Sequence, residues 1–144
     1  MRNTAKGFYT PNNPDKYIGT GTPYYRSSWE LIFMKFCDNN PSIQNWASES
    51  VKIPYRDPLT LKNTIYVPDF FIVYTDKDHK KHAELIEIKP ASQTLIEKVG
   101  KNVHNQAQYI RNVAKWQAAQ AWSKKHGCKF RVISEGDIFH SGKK

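Results

Sequence analysis

The chain has 144 residues, which suits one domain of ordinary size with a workable core. Its apolar fraction of 39% and aromatic fraction of 13% exclude an intrinsically disordered chain. Lysine and arginine outnumber aspartate and glutamate by 22 to 13, and the formal net charge of +9 favours a polyanionic partner. No apolar stretch approaches the length of a membrane span and no signal peptide is visible, so nucleic acid is favoured over a membrane.

The cysteines and histidines do not have the spacing of a zinc or redox site. Cys37 and Cys128 lie far apart, and neither belongs to a C-x-x-C pair. The five histidines show no H-x3-H spacing. We therefore expect reduced thiols and no zinc.

Residues 1 to 26 are predicted to form an N-terminal arm over a single domain that covers residues 27 to 144. Turn-forming prolines and glycines occur in this arm without hydrophobic periodicity. The domain begins with a predicted helix that Ser27 or Ser28 caps and that ends near Asp38. Apolar residues recur on one face of this helix at Trp29, Ile32, Phe33 and Phe36.

Three strands are predicted after this helix, at residues 49 to 55, 64 to 75 and 83 to 89. Pro68 within the second strand indicates an edge strand, a bulge or a kink, because proline has no backbone N–H. The charged segment of residues 76 to 82 joins the second and third strands as a hairpin turn.

A long helix is predicted from about Thr94 to His126, continuous or broken near Gly100. Its apolar stripe is predicted at Val103, Ala107, Ile110, Ala114, Ala118 and Ala121. Gly127 caps its end, and residues 129 to 134 form a last strand. The order helix, three strands, helix, strand predicts an α/β fold with a mixed sheet and helices on its faces.

Basic residues of the long helix fall opposite the alanine-rich stripe. They recur at three- and four-residue steps with one polar neighbour, at Lys101, His104, Gln108, Arg111 and Lys115. This face is either a solubilising surface or a phosphate-binding one. The excess positive charge favours DNA binding through Lys101, His104, Arg111 and Lys115.

The third strand carries the residues most suited to catalysis. Glu87 and Lys89 are two residues apart and so project from one face of the strand, and a hairpin can bring Asp69 close to Glu87. Two carboxylates are suitable ligands for Mg²⁺ or Mn²⁺, and the Lys89 ammonium can stabilise charge on a phosphate. The alternative is an ordinary ion pair. Glu84, three residues before Glu87, is predicted to be a solvated charge on the opposite face.

Pro68-Asp69 and Glu87-Ile88-Lys89 resemble the signature of the PD-(D/E)xK nuclease superfamily. Its restriction-endonuclease-like αβββαβ core has the predicted order of elements. The resemblance implies catalysis by Asp69, Glu87 and Lys89, with a metal ion bound by Asp69, Glu87 and Glu30. For Glu30 there is a simpler interpretation, because Ser27-x-x-Glu30 is also a capping-box pattern.

From about residue 8 to residue 135, the chain is similar to the head-completion nucleases of large tailed bacteriophages, which resemble endonucleases that cut transposon ends. The matching motifs are Tyr25-Arg-Ser-Ser-Trp-Glu30, Ile53-Pro-Tyr55, Val67-Pro-Asp-Phe70, Glu87-Ile-Lys-Pro90 and Lys115-Trp116. The resemblance implies a factor that trims packaged DNA before head and tail join. It also implies action in the host cytoplasm during virion assembly or on the virion itself, with head or connector proteins as partners.

Other functions share part of this pattern. A DNA-binding head-connector protein without activity could keep the acidic pair as a remnant, although phosphate binding alone does not call for carboxylates. A resolvase or a restriction-type endonuclease shares the core motif. A RecB-type exonuclease is disfavoured, because Asn105 stands where its Q-x-x-x-Y motif has glutamine, four residues before Tyr109.

Overall fold

The computed structural model describes residues 5 to 91 and 102 to 137. Its short N-terminal elements are β1 (Gly7–Phe8), a 3-10 turn (Pro14–Lys16) and β2 (Tyr24–Tyr25). The remaining elements are α1 (Ser28–Asn39), β3 (Ile43–Ser48), β4 (Ile53–Arg56), β5 (Asn63–Tyr66), β6 (Phe70–Thr75), β7 (Lys81–Ile88), α2 (Val103–Lys125) and β8 (Lys129–Ile133).

The main sheet has four strands in the order β3-β6-β7-β8. Strand β6 is antiparallel to both β3 and β7, and β8 returns parallel to β7. Alternate residues of these strands face opposite sides, so Ile86 packs toward α1 and Leu85 toward α2. The predicted α/β fold with a mixed sheet between helices is confirmed.

Helix α1 forms where the sequence predicts it. Ser27 is its N-cap and accepts a hydrogen bond of 3.1 Å from the Glu30 backbone N–H. Trp29, Phe33 and Met34 are buried against the sheet, with Phe33 next to Phe70. Burial of each such side chain stabilises the fold by about 1.5–3 kcal/mol. This packing fixes α1 against one face of the sheet.

The predicted first strand is wrong in position and in partner. The strand that joins the main sheet is β3, which contains a register shift between Ile43 and Asn45. Residues 49 to 52 are not a strand, and β4 begins only at Ile53. Instead of joining the main sheet, β4 pairs with β5 in a separate two-stranded sheet.

The predicted second strand is two strands. An interruption at residues 67 to 69 separates β5 from β6, as expected for a proline that cannot donate to a strand ladder. The irregularity expected at Pro68 is therefore confirmed. Because of it, the two halves of the predicted strand belong to different sheets.

The stripe predicted for the long helix is largely wrong, although Ala118 does pack in the cluster that α2 buries. Val103 is 79% exposed and Ile110 is 47% exposed, whereas Asn112, Ala119 and Ser123 are buried. Small side chains let α2 approach the sheet closely, and Trp116 and Trp122 fill the space beside them. The start predicted near Thr94 lies outside the described residues. No helix in the two described segments is long and apolar enough to cross a membrane.

The N-terminal segment is fastened to the end of α1 through Asp38. This buried carboxylate accepts hydrogen bonds from the Tyr9 hydroxyl at 2.5 Å and from the backbone N–H groups of Asn12 and Asn13. Burial alone would raise the pKa of Asp38, but these hydrogen bonds outweigh it and lower the pKa. The segment thus reaches the start of α1 along a defined path.

Candidate active site

The sheet register places Asp69 and Glu87 across from each other. Phe70 at the start of β6 is opposite Ile86 of β7, so Asp69 and Glu87 come next in the same register. Lys89 directly follows β7, where its backbone N–H donates to the Ile133 carbonyl of β8 at 3.0 Å. The structure thus brings the three predicted catalytic residues to one end of the strands.

The Asp69 carboxylate is held by the backbone of β7. Its Oδ2 accepts a hydrogen bond of 2.8 Å from the Ile88 N–H. Burial raises the pKa of Asp69 well above the usual range, and the negative charges of Glu87 and Glu30 add to the rise. The Ile88 N–H and the Lys89 ammonium oppose this effect only in part. A cation beside Asp69 would relieve the repulsion.

Glu87 is buried with only 6% of its surface exposed. Its Oε1 accepts a hydrogen bond of 2.7 Å from the Tyr66 hydroxyl, and its Oε2 lies 3.6 Å from the Lys89 ammonium. Burial raises the pKa of Glu87, while Tyr66, Lys89 and Lys115 pull it down. Tyr66 therefore orients one oxygen of this carboxylate, and Lys89 orients the other.

Tyr66 is a site residue that the sequence analysis missed. It lies on β5, and its ring is within 5.7 Å of the Lys115 ammonium, which approaches from α2. Burial raises the pKa of Tyr66, as do the charge of Glu87 and the hydrogen bond to it, so its hydroxyl remains a donor. The sequence feature that could have indicated a separate role for Tyr66 is Pro68, because it separates Tyr66 from β6.

Glu30 makes the capping contact that its sequence context predicted, and it also lies at the cleft. Its Oε1 accepts a 3.2 Å hydrogen bond from the Arg26 N–H, and its Oε2 accepts one of 3.2 Å from the Ser27 hydroxyl. It also lines a cleft of about 310 Å³ together with Asp69, Glu87 and Lys89. A capping contact therefore fixes a third carboxylate at the same cleft.

Arg26 also lines the cleft, and the sequence analysis did not single it out. Its guanidinium forms an ion pair with Glu49 and lies 5.5 Å from the centroid of the Tyr24 ring. The side chain is 55% exposed. In the sequence, Arg26 is distinguished only by its place in the motif that ends at Glu30.

The basic residues predicted on the long helix have different surroundings. Lys115 is partly buried near Glu87, and its pKa is lowered by burial and by the charge of Lys89. Arg111 donates from Nε to Asp57 Oδ2 at 2.9 Å. His104 is exposed on the first turn, and Lys101 lies outside the described residues. Arg111 and Lys115 therefore both contact the β4–β5 hairpin, at Asp57 and at Tyr66, whereas Ile110 is exposed.

Glu84 contradicts its prediction as a solvated charge. It is buried, accepts a 2.5 Å hydrogen bond from the Tyr74 hydroxyl and pairs with Arg131 at 3.1 Å. Both partners lie on neighbouring strands, and their position could not be derived from the local pattern. The charge is compensated and takes no part in the cleft.

The donor set of the cleft suits a hard divalent cation. Its carboxylates supply oxygen ligands, and burial raises the pKa of both Asp69 and Glu87, so a bound cation would stabilise their ionised forms. Within the described residues, no three His, Cys, Asp or Glu side chains form a complete metal-binding group. Mg²⁺ fits such a partial set, because it keeps several waters and bridges to substrate phosphates.

The chain is similar to known nucleases over most of its length. The family model described as TnsA-like endonuclease N terminal matches residues 40–135, which include Asp69, Glu87 and Lys89. The head completion nuclease of Enterobacteria phage T4 is 34% identical over 142 residues, covering 92% of each chain. Both matches agree with the resemblance that the motifs carry. The chain therefore belongs to the TnsA-like endonuclease family and is a nuclease.

Proposed function

We propose that the chain is a divalent-metal-dependent deoxyribonuclease that acts in phage head completion, trimming packaged DNA before head and tail join. The observation that carries the proposal is the convergence of Asp69, Glu87 and Lys89 in one cleft. An ordinary ion pair between Glu87 and Lys89 does not need a second buried carboxylate such as Asp69, whose pKa is raised by burial and by the charge of Glu87. A nuclease that binds a cation does.

Asp69 and Glu87 would hold Mg²⁺ or Mn²⁺, and Glu30 would complete the set from α1. A bound divalent cation supplies Lewis-acid activation of the scissile phosphate and of a water molecule. Lys89 orients the attacking water or stabilises the charge that builds on the phosphate oxygens. Tyr66 keeps Glu87 Oε1 in place, so that Oε2 stays beside Lys89.

The DNA backbone would follow α2 toward the cleft. Lys115 is the closest of the proposed phosphate contacts, because it already lies near Glu87 and Tyr66. Lys101, His104 and Arg111 extend the proposed contact toward the start of the helix. Of these, Arg111 would exchange part of its interaction with Asp57 for a phosphate or would keep the helix aligned through it.

The role in head completion is supported by the similarity to the head completion nuclease of phage T4 and by the extent of the match. Action in the host cytoplasm during virion assembly follows from that role, with head or connector proteins as partners. The activity itself can be tested without those partners. It requires only the purified chain and DNA.

The test compares circular and linear duplex DNA in Mg²⁺, in Mn²⁺ and in a chelator. We expect cleavage that needs the metal, that Asp69→Asn and Lys89→Ala abolish, and that Asp78→Asn in the exposed β6–β7 turn leaves unchanged. Loss of circular DNA would show internal cutting, and loss of linear DNA alone would show degradation from ends. Intact DNA under all metal conditions would exclude the proposed activity.

A further inference from the structure

We infer that the β4–β5 hairpin, residues 52 to 66, is a DNA-binding arm that holds the duplex beside the catalytic cleft. The inference rests on the proposed function, since it assigns a second contact for the same DNA. It concerns a surface separate from the basic residues of α2. Four features of the hairpin support it: its free face, its charge, its apolar side chains and its attachment to the site.

One face of the hairpin is packed and the other is free. Ile53 and Tyr66 belong to the cluster that packs against α2. Lys52, Pro54 and Arg56 alternate with the packed residues of β4 and are exposed. Because these three side chains are exposed, the described part of the chain leaves the outer face of the hairpin uncovered.

The free face and the loop of residues 57 to 62 carry positive charge without compensation. Lys52, Arg56 and Lys62 are exposed, and none of them forms an ion pair within residues 5 to 91 and 102 to 137. Asp57 is the one acidic residue in this part of the sequence. It is buried, and its charge is already balanced by Arg111. A polyanion is therefore the complementary partner.

Apolar side chains stand among these cations. Leu59 is 42% exposed, Leu61 is 63% exposed and Ile65 is 56% exposed. Duplex DNA accepts both kinds of group, because phosphates pair with cations while sugars and groove walls accept apolar contacts. An acidic protein would also attract the cations, but the hairpin adjoins the catalytic carboxylates through Tyr66, so the occupant that we infer is the DNA of the proposed function.

The hairpin is joined to the catalytic site at its base. Tyr66 is its last residue and donates to Glu87, while Asp57 joins the hairpin to Arg111 of α2 at 2.9 Å. A duplex bound along the free face is thus held at a fixed position relative to the catalytic carboxylates. The geometry suits a contact with DNA next to the cut rather than at it.

The experiment measures the affinity of Asp69→Asn, which should not cut, for a 30-base-pair duplex by fluorescence anisotropy over a range of salt concentrations. Into this background we place the triple substitution Lys52→Gln, Arg56→Gln and Lys62→Gln. The matched control is Lys77→Gln, Lys80→Gln and Lys81→Gln, which removes three exposed charges at the end of β7 away from Glu87. Both triples change the net charge equally, so a difference between them reports a local effect.

We expect the hairpin triple to bind about tenfold more weakly or worse. The slope of log affinity against log salt should fall by about 0.9 for each phosphate that the variant no longer neutralises, roughly two to three in total. The control triple should keep the slope. The charge-preserving variants Lys52→Arg, Arg56→Lys and Lys62→Arg should bind as the background does, and circular dichroism shows whether each variant is folded.

Equal losses of affinity in the two triples, or no loss in the hairpin triple, would overturn the inference. If the proposed function is wrong, the result is different: the unsubstituted chain leaves DNA intact in the presence of the metal. If the unsubstituted chain cuts DNA while the hairpin triple binds normally, the inference alone fails. The hairpin would then face a partner other than DNA.

Discussion

The buried hydroxyl of Tyr66 donates a hydrogen bond of 2.7 Å to Oε1 of Glu87. The two residues belong to different sheets, since Tyr66 ends the β4–β5 hairpin and Glu87 lies in the main sheet. The hydrogen bond therefore couples an accessory element to the proposed metal ligand. Partners of this kind orient a ligand and raise metal affinity without touching the ion.

Tyr66→Phe should reduce the activity while preserving the fold. The ring still packs against Phe130 and α2, but Glu87 Oε1 loses its donor. We expect about a 10–100-fold loss in metal affinity or in kcat, with KM for DNA nearly unchanged. Mn²⁺ titration by calorimetry and steady-state kinetics measure the two effects. Tyr55→Phe, a tyrosine of the same hairpin that does not contact Glu87, is the control; equal behaviour of the two variants would contradict a positioning role.

Asp69→Asn should stabilise the metal-free protein. Burial and the Glu87 charge raise the pKa of Asp69, so at neutral pH its ionised form opposes folding. Asparagine removes the charge and can still accept from the Ile88 N–H. We expect a gain of about 1 kcal/mol in the free energy of unfolding, measured by urea denaturation in chelator. Asp78→Asn should give no comparable gain.

The same gain should depend on pH. The pKa of Asp69 is raised in the folded state, so the unfavourable contribution is absent below the ordinary value of 3.8 and grows as the pH rises through the folded-state pKa. The stability difference between Asp69→Asn and the unsubstituted protein should thus shrink as the pH falls toward 4. A constant difference across this range would mean that the charge is not its cause.

Arg26→Ala should weaken catalysis with little effect on stability. Arg26 lines the cleft, and its ion pair with Glu49 is largely exposed, where such pairs contribute about 0–1 kcal/mol. A guanidinium at this place can bind a phosphate next to the scissile one. We expect kcat/KM to fall about tenfold or more. Lys35→Ala, an exposed residue of α1 that does not line the cleft, is the control in kinetic assays, and unchanged kinetics for Arg26→Ala would exclude the phosphate contact.

Asp38→Ala should release the N-terminal segment. Three hydrogen-bond donors would lose a buried acceptor, which we expect to cost at least about 3 kcal/mol, because each hydrogen bond to a charged group contributes about 1.5–3 kcal/mol and neighbouring contributions do not simply add. The lowered pKa of Asp38 means that its contribution is present at neutral pH and is lost as the pH falls through the folded-state pKa. Urea denaturation at pH 7 measures the loss. Asp15→Ala, an exposed residue of the same segment, should leave stability nearly unchanged.

The sequence was sufficient for the parts of the fold that depend on local periodicity and on short connections. Helix α1 follows from its apolar face and its cap, and the nearness of Asp69 to Glu87 follows from the short turn between β6 and β7. Strand β3 was missed, because the register shift near Asn45 interrupts its alternation of apolar and polar residues. Its pairing with β6 joins residues that are far apart in the sequence, so a local pattern does not identify it.

The errors on α2 and at Glu84 have a common physical cause. Asn112 and Ser123 are buried because a helix that lies close to a sheet needs small side chains there, so hydrophobicity identified the wrong face. Glu84 is buried because Tyr74 and Arg131 satisfy it from two other strands. Tyr66 was not predicted for a similar reason, because Glu87, which accepts its hydrogen bond, is 21 residues away in the sequence.

The interruption at Pro68 separates the β4–β5 hairpin from β6 and β7, which position the catalytic carboxylates. Asp69 and Glu87 are aligned by the ladder between β6 and β7, which begins after the interruption. Insertions or deletions near Leu59 or Leu61 would thus leave that alignment unchanged. The tip of the hairpin is where substrate preference can be re-engineered while the hydrolytic centre is kept constant.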